Sequence, residues 1–385
     1  MSNELVHDKT AGNGRIPQDR DPRDRDPQDR DPRGGDLRDG DPRDSLRLME
    51  IAAGGCASRV LAVAARLRIA DVLDGGFLSA GEIADRTGAD RDVLPLLLHV
   101  LVSAGVFERD EKGAFGLAAG SAALRSDHPG SLRNFLVLLA ETYDDAFGGL
   151  LGTALTGRSG FEQVFGVPFY EYLGRNPEAE AVFDAAMAEL AVPAAAALVE
   201  RFDFSGVRRV VDVGGGDGTM ITSILAGNPH LEGVCVDRPS VCERAGARLA
   251  ATAGHPLAGR LSFRPSDIFR EVSEGGDLYL LKNVLHDWSH ESGVRILTAV
   301  RRAMTRTARM LAPGLPRPRL IVLEPLLGEE SDAAHSLFRT VICGKGTGGF
   351  ERHDDLRALL GAAEFGVLSV ERLSSGHHAF ECSPS

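Results

Sequence analysis

A glycine run between a strand pattern and a helix pattern constrains this chain more than any other stretch. Val210, Val211 and Val213 favour a strand, and four of the next five residues, 214–218, are glycine. Apolar residues then recur at helical spacing from Met220 onward. A strand, a tight turn and a helix in this order present backbone amides at a helix N-terminus, where a nucleotide can lie. Glycine is needed there because a Cβ atom would block both the turn and the ligand.

The spacing of these glycines selects among nucleotides. A dinucleotide fingerprint, G-x-G-x-x-G, would need its last glycine at Thr219, so that pattern fails. The pattern present is an acidic residue, Asp212, one intervening residue, and then G-x-G-x-G from Gly214. It resembles the S-adenosylmethionine (SAM) loop of the class I methyltransferases. The resemblance implies that SAM is the cofactor.

Further strands with polar residues at their ends follow the glycine loop. Four are predicted, separated by helical patterns: residues 233–237, 261–263, 277–284 and 320–324. This alternation predicts a Rossmann-like, doubly wound parallel sheet of the α/β class, which binds ligands at the carboxyl ends of its strands. Asp237, Lys282 and Glu324 lie at such ends. Asp237 also follows the glycine loop at the distance where an acid accepts hydrogen bonds from a ribose diol.

The earlier part of the chain divides into a tail and a helical domain. The tail repeats Asp-Pro, and between Arg15 and Asp44 its only aliphatic side chains are Ile16 and Leu37. So little apolar surface cannot offset an ordering entropy of about 1–2 kcal/mol per residue. We therefore predict three parts: a disordered low-complexity tail (1–44), a helical domain (45–200) and a SAM-binding methyltransferase domain (201–385).

Residues 45–124 predict three helices followed by a small β-wing, which is a winged-helix arrangement. Ser79 and Glu82 have the spacing of a capping box at the start of one helix. DNA binding is one use of such a fold. However, the stretch 91–99 is rich in leucine with a single arginine, and the net charge is −12. These features favour a dimerisation and substrate-lid domain in a homodimer, and no nucleic-acid partner.

Composition argues against several other kinds of site and location. No unbroken run reaches the roughly 18 apolar residues of a membrane span, and the five cysteines are scattered without a C-x-x-C pair. Reduced thiols of this kind are typical of a cytoplasmic protein. His286 and His290 have a spacing that could bind a metal, but no third ligand accompanies them. We therefore expect no membrane, no metal and a cytoplasmic location.

The stretch 281–289, Leu-Lys-Asn-Val-Leu-His-Asp-Trp-Ser, makes the resemblance specific. It resembles the plant-type small-molecule O-methyltransferases and their actinobacterial natural-product relatives, in which an L-H-D-W segment supplies the catalytic base. The resemblance covers about residues 45–385 and includes 183–187, 210–218, 236–239 and 348–352. It implies a homodimer with an N-terminal dimerisation domain and a small aromatic substrate.

The resemblance also implies catalytic roles. His286 would take the proton of the acceptor hydroxyl, and Glu324 and Glu351 would orient its ring. The chemistry agrees, because a sulfonium methyl group needs little activation, whereas the acceptor oxygen must become nucleophilic and lie in line with the methyl carbon. Histidine titrates near neutrality and can take that proton as the bond forms.

Further contacts are assigned by the same residue-by-residue resemblance. The cofactor would contact Gly214, Gly216, Asp237, Asp267, Ile268 and Lys282. The acceptor would contact Tyr143, Phe183, Met187 and Asn283. Three departures stand out: Ser266 replaces a glycine, His290 replaces an acid, and residues 305–318 include about ten extra residues, which we interpret as a surface connection.

Together these features predict a SAM-dependent O-methyltransferase of secondary metabolism that acts on a hydroxyl, most simply a phenol, of a small aromatic or polyketide-like molecule. Two enzymatic alternatives stay open. One is methylation of an activated ring carbon, because a deprotonated phenol also activates its ortho carbon. The other is a relative that has lost methyl transfer and hydroxylates its substrate. A winged-helix regulator that senses a small molecule is the alternative outside catalysis, and the acidic charge speaks against it.

Overall fold

A computed structural model describes residues 42–251, 255–312, 314–326, 332–345 and 352–385. Its first elements are α1 (Pro42–Arg66), α2 (Ile69–Val72), α3 (Ala80–Thr87), α4 (Leu94–Ser103), β1 (Phe107–Arg109), β2 (Phe115–Leu117) and a 3₁₀ turn (Ser121–Leu124). Helix α1 begins inside the predicted tail, because proline at the first helical position has a preset φ and needs no N–H partner there. The rest of the predicted tail, 1–41, lies outside the described residues.

The predicted wing and its supporting helices are present. Strands β1 and β2 pair antiparallel, and Leu78 forms a further bridge to Phe115. The capping box at the start of α3 is also formed: Ser79 N donates to Glu82 Oε2 (2.8 Å), and Glu82 N donates to Ser79 Oγ (3.3 Å). One apolar core joins α2, α3 and α4 to the wing. The winged-helix prediction is therefore confirmed.

The middle of the chain is helical. Its elements are α5 (Arg133–Leu138), a π-helical turn (Leu139–Tyr143), α6 (Asp144–Ala146), a 3₁₀ turn (Phe147–Gly149), α7 (Leu150–Thr156), α8 (Gly160–Phe165), α9 (Phe169–Arg175) and α10 (Pro177–Arg201). By length and composition, α10 and residues 46–66 are apolar enough to cross a membrane, although charged residues interrupt both stretches. Such helices are weak evidence, because a core helix passes the same test. Helix α10 buries the charged residues Glu180 and Asp184.

Seven further strands form one sheet. They are β3 (Arg209–Val213), β4 (Glu232–Asp237), β5 (Leu261–Pro265), β6 (Leu278–Lys282), β7 (Arg319–Pro325), β8 (Phe365–Arg372) and β9 (His377–Pro384). Their spatial order is β5-β4-β3-β6-β7-β9-β8, and β3 to β7 run parallel. The five predicted parallel strands are thus confirmed. The antiparallel hairpin of β8 and β9, which pairs with β7, was not predicted.

Helices cover both faces of the sheet. They are α11 (Thr219–Gly227), α12 (Pro239–Ala251), α13 (His290–Met310), α14 (Asp332–Cys343) and α15 (His353–Ala362), with a 3₁₀ turn (Leu285–Asp287) before α13. Val211 packs in the core shared with α13 and α15, whereas Val210 packs in the core shared with α10 and α11. Because both faces are buried, the central residues of β6 and β7 are apolar or aromatic and fully buried. Residues 55–385 form one compact unit. The predicted boundary between a helical domain (45–200) and a methyltransferase domain (201–385) therefore stays a prediction.

The connection after α13 differs from its prediction. Residues 305–310 continue the helix and are not part of a surface loop. Thr307 is buried, donates to Ala303 O (2.9 Å) and accepts from Gly275 N (2.8 Å). Arginine, alanine and methionine are good helix formers, so this stretch extends the helix readily.

Candidate active site

The glycine loop after β3 has the geometry that its sequence predicts. Gly214, Gly216 and Gly218 have φ values of +70°, +59° and +84°, which favour glycine. A Cβ atom on Gly214 would lie 2.8 Å from the side chain of Val284. A Cβ atom on Gly216 would meet no atom within 4 Å, so this residue borders open space. The loop therefore leaves room beside its backbone at the start of α11.

A cavity of about 740 Å³ lies where the loops after β3, β4, β5 and β6 meet helices α9 and α10. The predicted cofactor residues that line it are Gly214, Gly216, Asp237, Asp267, Ile268 and Lys282. The predicted acceptor residues that line it are Tyr143, Phe183, Met187 and Asn283. His286 lines it as well, while Glu324 lies fully buried outside the lining. Glu351 lies outside the described residues.

His286 and Glu324 form a close pair. His286 follows β6 on a 3₁₀ turn, and Glu324 lies near the end of the adjacent strand β7. His286 Nδ1 hydrogen-bonds to Glu324 Oε2, and Leu285 N donates to Glu324 Oε1 (2.9 Å). The side chain of His286 remains 13% exposed toward the cavity. A buried carboxylate therefore fixes which ring nitrogen carries a proton, and Nε2 is left to do chemistry.

Asp237 lies at the end of β4 and holds the glycine loop. Its Oδ2 accepts from Gly216 N (2.8 Å), and its Oδ1 accepts from Arg238 N (2.7 Å). Burial raises the pKa of Asp237, and these two hydrogen bonds oppose the rise. Each carboxylate oxygen has a further lone pair for a ligand hydroxyl. Together with the open side of Gly216, this donor and acceptor pattern fits the ribose of a nucleoside.

Two buried charges lie behind the glycine loop. Burial raises the pKa of Asp212 to about 7, and the nearby Asp237 carboxylate adds to the rise. Burial lowers the pKa of Lys282 to about 8, while Asp212 and Glu324 oppose that shift. Asp212 Oδ2 is buried and has no hydrogen-bond partner within the described part of the chain. This carboxylate and amine are polar groups beside the cavity that are placed to meet a charged ligand.

A cluster of three polar side chains in the cavity, Tyr170, Asp287 and Arg339, was not predicted from the sequence. Tyr170 donates a hydrogen bond to Asp287 Oδ2 (2.5 Å), and Arg339 Nη2 donates to Asp287 Oδ1 (2.9 Å). Asp287 Oδ1 also lies 3.3 Å from His286 Nε2. Tyr170 stacks on Trp288, with ring centroids 5.2 Å apart. The L-H-D-W stretch and the aromatic run at 161–170 were the available signals, but no sequence pattern indicated Arg339.

Asn283 is held in an uncommon conformation at the end of β6. Its φ is +56°, which asparagine tolerates better than most residues. Its Oδ1 lies 3.1 Å from His377 Nε2, on the antiparallel strand β9. Burial lowers the pKa of His377 to about 4, so this imidazole is neutral at physiological pH. His377, on the hairpin that the sequence did not predict, therefore positions Asn283, which was predicted to contact the methyl-acceptor molecule.

Comparison with known proteins identifies the family. The sequence matches the family model of the O-methyltransferase domain over residues 147–366, and that of the O-methyltransferase dimerisation domain over residues 49–127. The chain belongs to the O-methyltransferase family. It is 33% identical to the phenazine O-methyltransferase PhzM of Lysobacter antibioticus, over 88% of this chain and 95% of the relative.

Other relatives of this O-methyltransferase differ in the atom they methylate. It is 32% identical to the phenazine-1-carboxylate N-methyltransferase of Pseudomonas aeruginosa, over 80% of this chain and 93% of the relative. Its fold is similar to the O-methyltransferase NcsB1 of neocarzinostatin biosynthesis, solved with SAM and 2-hydroxy-5-methyl naphthoic acid. That match has a TM-score of 0.68 and 28% identity, and covers 86% of this chain and 96% of that chain. The chain is a SAM-dependent O-methyltransferase, and SAM supplies the methyl group as an electrophile.

Proposed function

We propose that this enzyme methylates a phenolic hydroxyl of a small aromatic or polyketide-like secondary metabolite, with His286 as the general base. The observation that supports this most is the buried Glu324 carboxylate on Nδ1 of a histidine whose other side borders an aromatic cavity. The relatives' printed names and ligands, a phenazine and a naphthoic acid, support an aromatic acceptor. The enzyme acts in the cytoplasm.

We assign a separate role in methyl transfer to each group of the candidate site residues. Glu324 accepts the Nδ1 proton, so Nε2 is free to take the proton of the acceptor hydroxyl. The imidazolium that forms lies between two carboxylates, Glu324 and Asp287, which stabilise its charge. Asp237, Gly214 and Gly216 would bind the nucleoside of SAM, Asp267 and Ile268 would flank its adenine, and Lys282 would lie near its methionine end. Glu351 is proposed as the second orienting carboxylate.

Product analysis tests this function against its alternatives. The enzyme is incubated with labelled SAM and a panel of phenols, catechols, hydroxylated polyketides and aromatic amines, and the methylated atom is assigned by NMR. An O-methyl product supports the proposal. A C-methyl or N-methyl product from the same panel, or a hydroxylated one, would replace it by the corresponding alternative. A DNA shift assay separates the regulator hypothesis.

Asp237→Ala should weaken SAM binding by about 1.5–3 kcal/mol, which is the range for losing hydrogen bonds to a charged group. The loss includes the support that Asp237 gives to Gly216 N. Asp237→Asn should lose less, because its amide oxygen can still accept from Gly216 N. Calorimetry with SAM measures both variants, and Asp127→Ala at an exposed surface pair serves as the control. Unchanged SAM affinity in Asp237→Ala would remove the ribose assignment.

We further propose that the enzyme is a homodimer held by its N-terminal helices, in line with the matched dimerisation domain. Leu46, Leu48, Met49 and Ile51 on α1 are 58–69% exposed in the single chain, which is unusual for large apolar side chains. Deleting residues 1–40 should leave the dimer intact, because that tail has almost no apolar surface to bury. Light scattering at micromolar concentration checks this, and a monomeric full-length protein would contradict it.

A further inference from the structure

Cationic side chains line the cavity at three places in the described part of the chain: Lys282, Arg238 and Arg339. Arg238 is paired, since its Nη1 lies 2.9 Å from the buried carboxylate of Glu180. Lys282 lies in the field of Asp212 and Glu324. Arg339, on α14, differs from Arg238 in being more deeply buried, with 8% of its side chain exposed against 32%. It differs from Lys282 in hydrogen-bonding directly to the backbone of His286.

Arg339 is a buried cation, and only one of its three side-chain nitrogens donates to a described residue. Its side chain is 8% exposed. Nη2 donates to His286 O (2.5 Å) and to Asp287 Oδ1 (2.9 Å). The hydrogen bonds of Arg339 to described residues both start from Nη2, and none starts from Nε or Nη1, while the residue lines the cavity. Asp287 also accepts a hydrogen bond from Tyr170 and lies near His286 Nε2. Its carboxylate therefore interacts with three side chains and not with Arg339 alone.

A guanidinium in this setting is well suited to an anion. Its neighbours along the cavity wall include the apolar or weakly polar Tyr143, Ile342 and Cys343. Burying a cation there is costly unless its charge and its donors are matched. The remaining N–H groups of Arg339, on Nε and Nη1, can donate to a carboxylate, whose negative charge makes each hydrogen bond stronger than one to a neutral amide or ester oxygen.

We propose that Arg339 selects acceptors with a carboxylate beside the hydroxyl that is methylated, that is, ortho-hydroxy aromatic acids. This rests on the proposed function of the same cavity. Asp287 Oδ1 is 2.9 Å from Arg339 Nη2 and 3.3 Å from His286 Nε2. The guanidinium and the imidazole are therefore at most two hydrogen-bond lengths apart. A carboxylate and a hydroxyl on adjacent ring carbons can reach both at once.

Matched acceptor pairs test this selectivity. The wild-type enzyme should methylate 3-hydroxy-2-naphthoic acid with a kcat/KM about 10- to 100-fold above that for its carboxamide, the range for a hydrogen bond to a charged group. In Arg339→Met the ratio should fall to about one, with the loss mainly in KM. Arg339→Lys keeps the charge but not the Nε and Nη1 donors, and should retain part of the preference. Arg306→Met, paired with Glu274 outside the cavity, is the control and should keep the wild-type ratio.

Binding separates this proposal from the proposed function. Calorimetry of the acid and the carboxamide, with S-adenosylhomocysteine present, should show the same preference in wild type and its loss in Arg339→Met. In Arg339→Met, Asp287 loses its cationic partner, and an unpaired, partly buried carboxylate can destabilise the fold. The double variant Arg339→Met/Asp287→Asn removes that charge and should also show no preference for the acid. Preferential acid binding without methylated product would overturn the proposed function alone. An acid preference that persists in both variants, or no preference in wild type, would overturn the role of Arg339.

Discussion

Replacing His286 by alanine should lower methyl-transfer turnover by about 10²–10⁴-fold, the usual contribution of general-base assistance. The reason is the pair that it forms with Glu324, which leaves Nε2 to take the acceptor proton. SAM affinity should stay nearly unchanged, because the proposed cofactor contacts lie mainly on the loops after β3, β4 and β5. Single-turnover kinetics with a phenol and calorimetry with SAM measure the two effects separately.

The pH profile identifies the base. An acidic phenol ionises without help, so the rate of His286→Ala should climb with pH toward the pKa of that phenol. His290→Ala is a matched control, because His290 is an exposed histidine at the start of α13, four positions away. It should keep the wild-type profile. If His286→Ala methylates at the wild-type rate across neutral pH, His286 has only a structural role.

Glu324→Gln should cost less than the loss of the histidine. Glutamine removes the charge that stabilises the imidazolium, but its amide oxygen can still accept from Leu285 N. Glu324→Ala should cost more than Glu324→Gln, because it leaves both Leu285 N and His286 Nδ1 without their buried partner. Equal turnover in the two variants would show that charge alone is responsible.

Neutralising Asp212 should remove a pH dependence of stability that the wild type has. Asp212 titrates near pH 4 in the unfolded chain but near pH 7 in the folded one, because burial raises its pKa to about 7. The folded state therefore binds one more proton between these values, and its free energy of unfolding falls as pH rises through them. With about 1.4 kcal/mol per pKa unit, the fall is on the order of 4 kcal/mol.

Urea denaturation from pH 4 to pH 8 measures this effect as the difference between wild type and Asp212→Asn. The variant should gain relative to wild type as pH rises to 7, and the gain should then level off. The groups that share the electrostatic environment of Asp212 are Asp237, Lys282 and Asp217. Asp85→Asn, at a side chain 57% exposed beside Arg91, is the control and should show little pH-dependent difference. A constant difference across the range would mean that Asp212 is ionised throughout.

Local rules explain what the sequence predicted well. The positive φ values at Gly214, Gly216 and Gly218 follow from the glycines themselves. Strand ends in a parallel sheet meet at one edge, so Lys282 and Glu324 could be placed near each other without knowing any contact. The capping box at Ser79 depends only on neighbours three positions apart.

Packing between distant segments explains what the sequence did not predict. Tyr170 and Arg339 both bind Asp287, but the contact joins α9 and α14, whose meeting depends on the whole helical region. Strand β8 exposes many of its side chains and alternates weakly, so no periodic signal marks it. Helix α13 continues past Met304, and there Thr307 accepts a hydrogen bond from Gly275 N, a contact with a distant segment that no local pattern indicates.

The antiparallel hairpin has a consequence for the order of events during synthesis. Glu324 pairs in register with His378 of β9, and Asn283 contacts His377 of the same strand. Strand β7 thus lies between a neighbour made before it and one made more than fifty residues after it. During synthesis, β7 therefore has an unpaired edge until residues 377–384 have been made. The catalytic pair acquires its final surroundings only when β9 has paired with β7, so a chain that ends before residue 377 should not transfer a methyl group.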